Sequence, residues 1–157
     1  MMDWVDAPIA GVEIAPFRAF RDDRGWLSEL FRRDELPPDS FPAMGYLSVT
    51  HPGVARGPHE HREQTDRFAF FHGRYELVMW DARANSATLG HCQRLIAGEE
   101  NACTVVIPPG VVHAYRNVGE SDAYVLNFPD ALYAGDGKKE PVDEIRHEDD
   151  PDSPFQF

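Results

Sequence analysis

No extended run in this chain goes far before glycine, proline, asparagine or aspartate interrupts it. Twelve glycines and 13 prolines are spread through 157 residues, and the aromatic and β-branched residues sit in short runs between them. Such punctuation leaves little room for long helices and predicts many short strands. The candidates are DRFAFFHG, YELVMWDAR, ATLGHCQRLIAG, ACTVVIPPG, HAYRNVG and AYVLNFP, spaced as in an antiparallel sandwich or barrel. Upstream, VEIAPFRAFRDDRGWLSELFRR sets an Asp-Asp-Arg-Gly turn between two extended stretches and predicts a hairpin. Residues 34–42, with three prolines, predict a loop, after which YLSVTH resumes the extended pattern. The segment from about residue 134 is polar and charged, and is expected to be a solvated tail with a short helix near VDEIRHE. There is no repeat of fixed period. The length and a hydrophobic content of 42% suit one core, so a single domain over residues 1–157 is expected.

A formal net charge of −12 argues against general binding to a nucleic-acid backbone, which depends on lysine and arginine displacing counterions. A small anion held by a few local arginines remains open. The apolar runs are too short to cross a bilayer, and no basic region followed by a hydrophobic stretch opens the chain. A soluble cytoplasmic protein without a membrane partner is therefore expected. Cys92 and Cys103 match no metal or redox spacing and are expected to be reduced packing residues.

The chemistry concentrates in GVARGPHEHREQTDRFAFFHG, residues 53–73. On a strand, residues two apart share a face, so His59 and His61 project together. Imidazole suits zinc, iron, nickel and copper, and a carboxylate such as Asp66 completes a site with open positions. His113 follows a Pro-Pro-Gly turn in IPPGVVHAYRN. Three uses stay open for these side chains: gripping a metal, moving a proton, or filling a barrel.

Together the two segments resemble the signature motifs of the cupin superfamily. Gly53, His59, His61, Asp66 and Gly73 keep the spacing of the first, with aspartate in place of glutamate. Pro108, Gly110, His113 and Asn117 meet the second, although Ala102 stands where its leading glycine is usual. The resemblance implies an all-β, cupin-type antiparallel jelly-roll β-barrel. In metal-binding cupins the positions of His59, His61, Asp66 and His113 hold a divalent metal, here zinc, iron, nickel or manganese.

Over most of its length the chain also resembles the dTDP-4-dehydrorhamnose 3,5-epimerase family, in FRDDRGWLSELF, GVARGPH, WDARANSATLG and IPPGVVHAY. The resemblance implies an isomerase acting on a 4-keto-6-deoxyhexose joined to a nucleoside diphosphate, and a homodimer that exchanges N-terminal strands. It casts His59 as the base that removes the proton beside the ketone. Arg24 and Glu29 would contact the nucleotide across the dimer, and Arg56 would face the substrate. Asp150, before Pro151, matches an aspartate that orients the histidine. The chain departs from the family where His61 replaces glutamine, where Asp66 replaces lysine, and where Leu126 or Asn127 occupies the place of a tyrosine acid. Tyr124 and Tyr133 are the candidate substitutes. An anion and an additional imidazole in place of a lysine suit a metal that polarises the keto oxygen. In that case His59 is a ligand, and a tyrosine, Glu60 or a bound hydroxide moves the proton. Two other classes stay open: a metal-dependent cupin enzyme of another kind (oxygenase, lyase or small-molecule isomerase), and a non-catalytic sugar-binding cupin.

Overall fold

The structure of the chain, a computed structural model, describes residues 3–157. Its strands begin with β1 (Val5–Asp6), β2 (Glu13–Pro16) and the hairpin of β3 (Phe20–Asp22) and β4 (Gly25–Leu27). The proline-rich loop contains only two short turns of 3-10 helix before β5 (Tyr46–Thr50) and β6 (Ala55–Glu60). Then follow β7 (Asp66–Phe70), β8 (Arg74–Asp81), β9 (His91–Gly98), β10 (Cys103–Ile107), β11 (Val111–Asn117) and β12 (Ala123–Asn127), with β13 (Ile145–Arg146) near the C-terminus. One sheet has the order β1-β9-β8-β11-β6-β13, the other β2-β10-β7-β12-β5, and β3 pairs with β4 alone. Every pairing is antiparallel except β1 with β9. The jelly-roll barrel expected from the sequence is the one observed.

Alternation along the strands of the second sheet assigns the inner face. Asp66, Phe68 and Phe70 of β7, Cys103, Val105 and Ile107 of β10, and Ala123, Val125 and Asn127 of β12 are buried. They meet Tyr75, Leu77, Met79, Val111 and Tyr115 from the first sheet in the main core. In β8 and β11 both faces are apolar, because a second cluster of Val78, Trp80, Val112 and Ala114 lies on the outer side under Phe155, with Trp4 and Phe157 packed against it.

That outer cluster corrects the expectation for the C-terminus. The segment is not a solvated tail and has no helix at VDEIRHE. Instead β13 adds to the free edge of β6, with Ile145 opposite Glu60 and Arg146 opposite His59. Phe155 then stacks against Trp80 and His147, and Phe157 lies under the Arg116 guanidinium. Burying a phenylalanine contributes about 2–3 kcal/mol, which offsets the ordering of only a few residues. Backbone pairing along β13 must hold the remainder.

At the end of β8, Asp81 is fully buried and organises the turn that follows. Its carboxylate accepts from Arg83 Nε at 2.9 Å, Ser86 Oγ at 2.5 Å and Thr88 Oγ1 at 2.6 Å. Burial alone would raise its pKa, but these donors outweigh that and hold it well below the usual carboxylate range. Asp81→Asn should lower stability at neutral pH by about 2–4 kcal/mol. Because the folded pKa is depressed, wild-type stability from this group is complete above about pH 4 and fades as pH falls through the folded value. Chemical denaturation across pH should therefore show the wild-type and variant curves converging in acid.

Candidate active site

The histidines meet because β6 carries an irregularity. His113 of β11 pairs with His59, yet Tyr115 pairs with Arg56, so two steps on β11 match three on β6. The extra residue falls at Gly57, which has φ +83° and approaches so closely that a Cβ there would lie 2.5 Å from the His113 carbonyl oxygen. Only glycine suits both conditions. The bulge brings the His59 and His113 rings edge to face, with centroids 4.6 Å apart. His61, just beyond β6, completes the imidazole trio. Asp66 faces them from the opposite sheet, and ligand atoms of all four lie within 4.8 Å of one another.

Asp66 is almost wholly buried, and its two oxygens have different partners. Oδ1 accepts from the amides of Gln64 at 2.9 Å and Asn127 at 2.8 Å. Oδ2 lies 3.2 Å from Nε2 of both His61 and His113. Each of those imidazoles has its other nitrogen committed: His113 Nδ1 donates to the Val111 carbonyl at 3.0 Å, and His61 Nδ1 donates to the Asp143 carbonyl. In their neutral forms both rings therefore aim Nε2 lone pairs at a carboxylate. His113 Nε2 has no hydrogen bond of acceptable geometry despite that close oxygen.

The Gln64 amide lies 3.2 Å from His61 Nε2, but His113 Nε2 is left without a donor, and a lone pair facing a carboxylate demands a positive charge, either a proton or a metal ion. Burial depresses His61, but the Asp66 hydrogen bond and charge outweigh it and raise the imidazole to about 9. Burial likewise pushes Asp66 up, yet the two imidazoles hold it well below the carboxylate range. His59 is driven down to about 2 by burial and then by His113 and His61, so it stays neutral. Its Nδ1 lies 3.7 Å from Glu144 Oε1. All three imidazoles thus have Nδ1 near an outer acceptor, the arrangement that orients metal-ligating histidines, and a divalent ion fits the donor set.

Beside this cluster lies a cleft with two lobes of about 360 and 430 Å³ that share Tyr46, Arg56, His59, Glu144 and Arg146. Arg56 lines both lobes and is braced by the Val49 carbonyl and Thr50 hydroxyl. Tyr133 is 56 % exposed and borders one lobe. Other expected residues lie elsewhere. Tyr124 points away from the core and stacks on His72. Asp150 borders neither lobe and accepts from the backbone of Asp152, so the carboxylate near His59 is Glu144. Glu60 pairs with His147 at 2.9 Å. Arg24, its side chain 89 % exposed, pairs with Asp22 on the β3–β4 hairpin, while Glu29 pairs with Arg32. Neither borders the cleft.

Sequence reasoning missed Tyr46, Asn127 as a partner of Asp66, and the whole contribution of residues 143–146. Tyr46, 43 % exposed as a whole residue, accepts from Asn127 at 2.9 Å, and desolvation of its phenol end within the cleft is the main cause that pushes it up to about 12. Asp143 accepts from the backbone N–H groups of Arg62, Glu63 and Gln64, which shape the loop joining His61 to Asp66. The only signal for this segment was a pair of aromatics in the final PFQF.

Comparison with known proteins gives a match to the family described as dTDP-4-dehydrorhamnose 3,5-epimerase over residues 6–150. A probable low-salt glycan biosynthesis epimerase of Haloferax volcanii, Agl13, is 35% identical over 80% of this chain and 81% of its own. The spore coat polysaccharide biosynthesis protein SpsL of Bacillus subtilis is 34% identical over 82% and 84%. Among solved structures, a dTDP sugar isomerase from Desulfovibrio desulfuricans superimposes with a TM-score of 0.79 at 25% identity, covering 94% of this chain and 91% of that one.

Within the site, Asp143→Ala should cost roughly 1–3 kcal/mol by orphaning three backbone donors. Thermal unfolding should register the loss, and limited proteolysis should open the 61–65 loop first.

Proposed function

Since this chain belongs to the dTDP-4-dehydrorhamnose 3,5-epimerase family, we propose that it epimerises a 4-keto hexose carried on a nucleoside diphosphate, with a divalent metal held by His59, His61, Asp66 and His113. The observation that carries the metal assignment is the convergence of three imidazoles and one carboxylate, their ligand atoms within 4.8 Å of one another and the buried His113 Nε2 without a hydrogen-bond partner. When bound, such an ion supplies a Lewis acid for the oxygen on which enolate charge develops.

The chain's own residues perform the rest. Arg56 and Arg146 stand in the cleft where an anionic substrate would lie, and the arginine fork suits phosphate oxygens. Glu144, from the same lobes, removes the proton next to the ketone, since a histidine held as a ligand has no lone pair left for it. Glu60 is engaged with His147 and borders neither lobe, whereas Glu144, whose Oε2 accepts from Arg146 Nε at 2.7 Å, lines both.

A homodimer is part of the proposal. The β3–β4 hairpin exposes Trp26 at 54 % and Leu27 at 60 %, beside Arg24. Docking that apolar surface on a second copy supports a route by which Arg24 and Glu29 reach the partner's nucleotide. No helix among the described residues is long and apolar enough to cross a membrane. Cys92 and Cys103 are free buried thiols, which suits a reducing cytoplasm.

Protein purified without a nickel column should contain about one equivalent of divalent metal, and His61→Ala and Asp66→Ala should lose it. In heavy water the wild type should wash deuterium into C3, C5 or both of a 4-keto sugar nucleotide, and chelation should slow this by about 100-fold or more. Metal-free protein that keeps full exchange in chelator would sink the metal assignment and return proton removal to neutral His59, with Glu144 at its Nδ1. Absence of exchange into every such substrate would sink the epimerase reading itself.

A further inference from the structure

We infer that Tyr46 is the catalytic acid that delivers a proton to the substrate carbon after its deprotonation, an inference that rests on the epimerase reading above. Epimerisation inverts a centre, so a proton leaves one face and another arrives on the opposite face. The cleft therefore needs a donor on the wall facing the base. Both candidate bases, Glu144 and His59, stand on or beside β13 and β6 at one edge of the first sheet. Tyr46 stands on β5 in the second sheet and lines both lobes together with them.

The hydrogen bonding of Tyr46 fits a donor. It lies directly across the β5–β12 pair from Asn127. The Asn127 amide donates to Asp66 Oδ1 at 2.8 Å and to the Tyr46 oxygen at 2.9 Å. This is the only hydrogen bond of the Tyr46 hydroxyl among the described residues, and it uses the oxygen as acceptor. The O–H proton is thereby left for the cleft. The other tyrosines are placed differently: Tyr124 stacks on His72, Tyr133 borders only one of the two lobes, and Tyr115 is packed edge to face among Phe68, Phe70 and Tyr75.

In the step, the base takes the proton from the carbon beside the ketone, and the C–H electron pair forms the C=C of an enolate. That pair then takes the Tyr46 proton on the other face, the carbonyl re-forms, and the Tyr46 phenolate recovers a proton from water. The base releases its own proton to water, so no oxidant or further reactant is needed.

The test compares wild type and Tyr46→Phe in heavy water, following the epimeric product and deuterium in unconverted substrate by NMR. Formation of the epimer should fall by about 100-fold or more. Wash-in at the same carbon with retained configuration should persist within about tenfold, because the base still works from its own face. Metal content should be unchanged, since Tyr46 is outside the ligand group. A Tyr46→Phe protein that makes the epimer at the wild-type rate overturns the assignment while leaving the epimerase reading intact. A wild type that exchanges no deuterium overturns both. Should Tyr46→Phe fail to fold, a fluorinated tyrosine at position 46 preserves the shape and acidifies the phenol. The alkaline limb of the rate profile should then move down by about one pH unit or more, and an unmoved limb overturns the assignment.

Discussion

A carboxylate buried between two sheets and facing three imidazoles is the constraint on which this barrel depends. Among the described residues no lysine or arginine pairs with Asp66, and its Oδ2 faces nitrogens of rings whose Nδ1 protons are committed elsewhere. An uncompensated charge in such a place costs several kcal/mol, so the molecule must acquire a cation there, whether a proton on His61 or a metal. The surrounding chain is arranged to sustain that requirement. Two side-chain amides hold Oδ1, two backbone carbonyls orient the imidazoles, and a glycine bulge sets their spacing.

The barrel was legible because its strands are short and sharply bounded, and because alternation in segments such as DRFAF and CTVVI separates inner from outer faces. His59, His61, Asp66 and His113 were legible as a group because strand periodicity and the order of two motifs place them at one end of the barrel. What lay beyond one strand's periodicity was not. Tyr46 looks like an ordinary strand residue until its pairing with Asn127 is known, since register between distant segments is a tertiary fact. The charged run before the C-terminus suggested solvation, because its average polarity hides one buried aromatic anchor and a two-residue strand.

That C-terminal segment links stability to chemistry. Phe155 packs on the outer side of the first sheet, and Glu144 and Arg146 enter the cleft at the mouth of the inner side. One stretch of chain therefore wraps the sheet edge and couples an apolar anchor to two charged groups in the site. Local opening of β13 would withdraw both charges together, and because Asp143 just before it accepts from His61 and from the backbone of residues 62–64, it would loosen the His61 side of the cluster as well.

The bulge at Gly57 also has a consequence for how such a site changes over time. Arg56 and His59 are three residues apart, an odd interval that on a regular strand turns two side chains to opposite faces. They share the cleft only because one extra residue reverses the parity between them. Straightening β6 would turn one of them out of the cleft whichever the other did. Arg56 and His59 are thus bound into a single heritable unit by a glycine that itself lines the cleft between them.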